Sequence, residues 1–68
     1  MTREDVARDV ARIAALAGDA ERQHSFEDAL HVEVLRAIAA GNLTAEQARE
    51  LAAEALRTTE LGFERWCA

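Results

Sequence analysis

The sequence predicts a small all-α protein: a three-helix bundle in which antiparallel helices are joined by tight turns. Its 68 residues contain no proline and only three glycines. Alanine, leucine, arginine and glutamate, which all favour helices, dominate the composition. Apolar residues recur three and four positions apart along three stretches. We expect one domain, spanning residues 1–68. Sixteen of its apolar residues are alanines, so the core is thin, and such cores are often completed by a partner or a second copy.

The first helix is predicted over residues 3–17. Thr2 is a suitable N-cap, and Glu4 and Asp5 place acids in the first turn, where they favour the helix dipole. Gly18 ends the helix and leads directly into the next one. The predicted core-facing positions are Val6, Val10, Ile13, Ala14 and Ala17.

The second helix is predicted over residues 20–40 and is the central element. Asp19 can cap it, and Gly41 can adopt the left-handed conformation that ends a helix. The short connection to the first helix predicts an antiparallel pair. Its apolar stripe is expected to contain Phe26, Leu30, Val34, Ala37 and Ile38.

The third helix is predicted over residues 45–60. Thr44 and Gln47 have the spacing of a capping box, in which each side chain bonds the other residue's amide. A seam of mostly small residues then follows a heptad spacing. Two interpretations are open: the seam packs against the other two helices, or it forms a close contact between two copies. The seam consists of Ala48, Ala52, Ala55, Thr59, Gly62 and Trp66.

The C-terminal segment, residues 61–68, is unusually aromatic for a chain end and can add a short fourth turn. One interpretation is that its large side chains fold back and complete the core. The other is that Phe63, Arg65 and Trp66 bind a partner, because aromatic side chains and arginine are typical interface anchors.

Glu27 interrupts the apolar stripe of the second helix, and His24 and His31 flank it three residues before and four residues after. His24, Glu27, Asp28 and His31 are three or four positions apart, within reach of their neighbours. Imidazole and carboxylate groups can bind a divalent metal such as zinc. The two histidines, however, are roughly 10 Å apart along the axis, so both reach one ion only by leaning inward. The alternative is a hydrogen-bonded polar patch that binds no cofactor.

Composition and charge narrow the functional classes. The net charge is −5 and no basic stripe exists, which argues against nucleic-acid binding. No apolar run has membrane-spanning length, so we expect a cytoplasmic protein that binds no membrane. No glycine-rich loop or nucleophile motif occurs, so we expect no enzymatic activity. The leading hypothesis is a non-enzymatic module that binds a protein partner or itself; the alternative is a metal-bound helical protein.

Residues 19–68 resemble small uncharacterised helical proteins encoded by bacteriophages and prophages. The resemblance rests on HSFEDALHVEVLRAIAAG, with its E-D-x-L pattern at Glu27 to Leu30, and on ALRTTELGFERWCA, with an R-W pair at Arg65 and Trp66. It implies a phage-associated cytoplasmic accessory protein, and by analogy a protein that acts on a host partner fits the interaction-module hypothesis. It identifies no catalytic or binding residue.

Overall fold

The computed structural model describes residues 1–65 and shows the predicted three-helix bundle. Helix α1 spans Arg3–Ala15, α2 spans Ala20–Ala39 and α3 spans Ala45–Ala55, and a 3₁₀ helix follows over Leu56–Glu60. Each α-helix packs against the other two, and residues 1–65 contain no β-strand. In this part of the chain, no helix combines the length and the apolar character needed to cross a bilayer.

All three helices begin at side-chain caps. Asp19 Oδ1 accepts a hydrogen bond from the Arg22 amide at 3.1 Å. At the start of α3, the Thr44 amide donates to Gln47 Oε1 and the Gln47 amide donates to Thr44 Oγ1, both at 3.0 Å. The predicted capping box is therefore confirmed. Thr2 caps α1, as predicted, and forms a second capping box with Asp5.

Glycines in the left-handed backbone conformation separate the helices. Gly18 has φ +98° and Gly41 has φ +79°, a region where residues with a Cβ are strained. These two positions turn the chain between α1 and α2 and between α2 and α3. Helix α1 ends at Ala15, two residues before the predicted end, and a turn over residues 16–18 makes the connection.

The helix predicted over residues 45–60 is α-helical only to Ala55 and continues to Glu60 as the 3₁₀ helix. Thr58 Oγ1 donates to the Ala55 carbonyl at 3.1 Å, and Thr59 Oγ1 donates to the Leu56 carbonyl at 2.6 Å. Such bonds to residue i−3 favour the tighter 3₁₀ geometry, with three residues per turn. Thr58 is therefore buried on the same side as Ala55, whereas Thr59 of the predicted seam is exposed.

The core is small and receives side chains from all three helices. Phe26, predicted to face it, is 41% exposed, because it lies at the α1 edge of α2 while Gln23 and Glu27 occupy buried positions. Ala14 and Ala17, also predicted to face the core, are exposed. The buried apolar residues are Val6, Val10, Ile13, Leu30, Val34, Leu51 and Ala55, and Ala37, Ile38, Leu43, Leu61 and Phe63 pack around them.

Candidate functional site

A buried carboxylate joins the central helix to the C-terminal segment. Glu27 lies on the core-facing side of α2 and is only 4% exposed. Arg65 approaches it with a two-pronged contact: Nε donates to Oε1 at 2.7 Å and Nη2 donates to Oε2 at 3.1 Å. This pairing matches the planar guanidinium fork to the two carboxylate oxygens. We call Glu27, Arg65 and the groups that they contact the C-terminal junction.

The same guanidinium also binds backbone carbonyls at the end of the 3₁₀ helix. Arg65 Nη2 donates to the carbonyls of Thr58 at 2.8 Å and Leu61 at 3.2 Å, and Nη1 donates to the Phe63 carbonyl at 3.0 Å. The Thr58 and Leu61 carbonyls also accept from the Leu61 and Phe63 amides, each at 3.0 Å, so Arg65 adds a second hydrogen bond to each of them. The guanidinium carbon also lies 3.8 Å from the centre of the Phe63 ring, a cation–π contact. Arg65 thus binds the end of the helix and the buried acid together.

His31 lies one turn after Glu27 and binds the same region of the 3₁₀ helix. Its Nε2 is 3.0 Å from Thr58 Oγ1 and 3.3 Å from the Ala55 carbonyl. The carbonyl can only accept, so Nε2 must carry a proton for this contact to be a hydrogen bond. The same Nε2 proton can be donated to Oγ1 of Thr58, which is fully buried. Thr58 has one hydroxyl proton of its own, and it can donate this proton either to the Ala55 carbonyl or to the Glu27 carboxylate.

The surroundings of Glu27 keep it ionised. Burial acts to raise the pKa of this carboxyl group, but hydrogen bonds from Arg65 and Thr58, together with the charges of Arg65 and His31, lower it more. The net result is a pKa below the ordinary glutamate value of 4.5. The junction is therefore a charged contact at neutral pH.

The four predicted metal ligands are distributed between separate contacts. His24 is buried, and its Nε2 lies 3.4 Å from Oδ2 of the exposed Asp28. Glu27 binds Arg65, and His31 binds Thr58. Within residues 1–65, no three His, Cys, Asp or Glu side chains come together as a metal-binding group. Metal binding at these residues stays a prediction from the sequence.

The predicted partner-binding residues are only partly described. Phe63 packs against the core and Arg65 binds Glu27, as expected if this segment completes the domain. Trp66, the third of these residues, lies outside the described part of the chain. The role of Thr58 and the pairing of Glu27 with Arg65 were not predicted from the sequence. The available signal was an acid in an apolar stripe, which requires a cation from elsewhere in the fold.

A second feature is an apolar groove between α2 and α3, which we call the α2/α3 groove. Its volume is about 240 Å³. Leu35 and Leu56 form its outer edges and are 65% and 59% exposed. Asp28 lies exposed on the same side of α2, seven positions before Leu35. The lining residues are His31, Val34, Leu35, Ile38, Ala52, Ala55 and Leu56.

Comparisons with protein-family models, curated proteins and solved structures found no match to this chain.

Proposed function

We propose that this chain is a non-enzymatic protein–protein interaction module and that its contact surface is the α2/α3 groove. The observation that carries the proposal is the exposure of Leu35 and Leu56 beside a continuous apolar depression. Single exposed leucines are common, but exposed leucines around an apolar concavity are typical of binding surfaces. In this proposal the small-residue positions Ala52 and Ala55 form the floor, and the leucines form the walls.

The partner that fits this surface best is an amphipathic helix with basic residues beside its apolar stripe. Two antiparallel helices form an elongated depression, which suits apolar side chains at positions i, i+3 and i+4 of a bound helix. The exposed carboxylate of Asp28 lies on the same side of α2, and the whole chain carries a net charge of −5. A basic partner would therefore associate faster than an acidic one.

The resemblance to phage and prophage proteins supports placing this partner in a bacterial host. In that case the chain is a cytoplasmic accessory protein that binds and modulates a host factor. The Phe63, Arg65 and Trp66 segment remains a second proposed contact surface.

The test measures binding of two model peptides, an amphipathic helix of leucine and lysine and its counterpart of leucine and glutamate. Isothermal titration calorimetry is expected to show binding of the lysine peptide only. Leu56→Glu places a charge at the groove wall and should weaken that binding at least tenfold. The matched control, Ala11→Glu, adds the same charge to an exposed position on α1, outside the groove, and should leave binding within about twofold.

The unfolding midpoint of each variant shows that a loss of binding is not a loss of fold. Equal binding of both peptides, or equal weakening by the two substitutions, would contradict the groove assignment. Sedimentation equilibrium over a range of concentrations identifies self-association as the alternative use of this surface. A dimer of the wild type that Leu56→Glu dissociates would mean that a second copy occupies the groove.

A further inference from the structure

The C-terminal junction has the chemistry of an arginine-binding site. We propose that the acceptors around Glu27 form a guanidinium-binding site that takes an arginine side chain from another molecule when residues 62–65 leave it. In the structure, Arg65 of the same chain occupies this site. The proposal does not depend on the α2/α3 groove.

The site is selective for a guanidinium group because its acceptors match the shape of that group. The Glu27 carboxylate binds two nitrogens, and the carbonyls of Thr58 and Leu61 bind one of the same nitrogens from other directions. A lysine ammonium presents its donors from a single atom and cannot span both carboxylate oxygens and these carbonyls in the same way. The expected ligand is therefore arginine rather than lysine.

The present occupant can be exchanged because its segment is not part of a helix. Residues 62–65 have no regular secondary structure, and the Phe63 amide bonds the nearby Leu61 carbonyl at 3.0 Å. Gly62 has open space around it, and the Arg65 side chain is one-third exposed, whereas Glu27 is buried. Side-chain contacts hold the segment in place, and an arginine from another molecule can make the same contacts to Glu27 and Thr58.

The first experiment empties the site with Arg65→Ala and adds methylguanidinium as the probe. We expect a saturable rise in melting temperature, about 6–11 °C at ten times the dissociation constant. Methylammonium is the control ligand, and the double variant Glu27→Gln/Arg65→Ala is the control protein; neither should show the rise. If Arg65→Ala is unfolded by itself, methylguanidinium should restore its helical circular dichroism with the same selectivity. Equal effects of the two ligands, or of methylguanidinium on both variants, would overturn the proposal.

The second experiment identifies the source of the arginine. Arg65→Ala offers an empty site, and Glu27→Gln offers an intact Arg65 with a weakened site of its own. If a second copy donates the arginine, mixing the two variants produces a heterodimer in sedimentation experiments, whereas each variant alone is a monomer. If methylguanidinium binds to Arg65→Ala but the mixture stays monomeric, a second copy of the chain does not supply the arginine.

Discussion

At the scale of single residues, Glu27 shows how a buried charge is tolerated in a small domain. A carboxylate at this position would be strongly unfavourable without a cation and several hydrogen bonds. Arg65 supplies the cation and two hydrogen bonds, and it also donates to the Thr58 carbonyl in the 3₁₀ helix. One side chain therefore links the middle of α2 to the end of the described chain.

The pH dependence of stability should reveal this pair. The pKa of Glu27 is lower in the folded state than in the unfolded state, where it is near 4.5. The ionised carboxylate therefore contributes fully to stability above the unfolded-state pKa, and this contribution is lost as the pH falls through the folded-state pKa. Glu27→Gln should lower the free energy of unfolding by about 2–3 kcal/mol at pH 7. Urea titrations should show this difference shrinking below about pH 4.5.

The matched control is Glu50→Gln, which removes an exposed carboxylate from α3 and should change the stability little at any pH. A difference between wild type and Glu27→Gln that stays constant down to pH 3 would contradict the proposed role of the charge.

The sequence revealed that Glu27 was unusual but not which residue would pair with it. Helical spacing compares only neighbours three or four positions away, and it therefore proposed His24 and His31 as companions of Glu27. The actual partner, Arg65, is 38 residues distant and is brought to Glu27 only by the packing of the C-terminal segment. Such a contact depends on the path of the chain after α3, which no local pattern specifies.

At the scale of helices, the starts were predictable and the ends less so. Caps at Thr2, Asp19 and Thr44 depend on side chains within three residues, so local sequence is sufficient to find them. The end of α3 depends on a competition between α-helical and 3₁₀ hydrogen bonding in the residues after Ala55. Adjacent threonines, Thr58 and Thr59, each bond a carbonyl three residues earlier, and this favours 3₁₀ geometry over the predicted α-helix.

The capping box of α3 should make a measurable contribution to stability. Thr44→Ala removes the hydroxyl that accepts from the Gln47 amide, and should lower the free energy of unfolding by about 1 kcal/mol. Thr44→Ser keeps the hydroxyl and is the matched control, with little expected loss. Urea unfolding followed by circular dichroism measures both. An equal loss in the two variants would assign the effect to the Thr44 methyl group rather than to the cap.

At the scale of the whole molecule, the fold class followed from composition and periodicity, but the proposed contact surface did not. A 68-residue chain with helix formers and three apolar stripes has few ways to bury those stripes other than as a bundle. The periodicity did not show which apolar residues stay exposed, because this depends on the crossing of the helices. Leu35 lies at the edge of the stripe and is exposed, as is Leu56, whereas Leu51 is buried.

This division between buried and exposed leucines predicts two different roles. A domain of this size has a total stability of about 3–10 kcal/mol. Leu51→Ala removes a nearly fully buried side chain and should lower the free energy of unfolding by about 2–5 kcal/mol, a large fraction of that total. Leu35→Ala should cost far less, because most of that side chain is already in water.

Urea unfolding followed by circular dichroism measures both losses of unfolding free energy. In the peptide titrations of the α2/α3 groove the order should be reversed, with Leu35→Ala weakening binding more than Leu51→Ala. A loss from Leu35→Ala as large as that from Leu51→Ala would mean that the groove is filled from within the free protein. Leu35 would then be part of the core, and the groove could not bind a partner without being opened first.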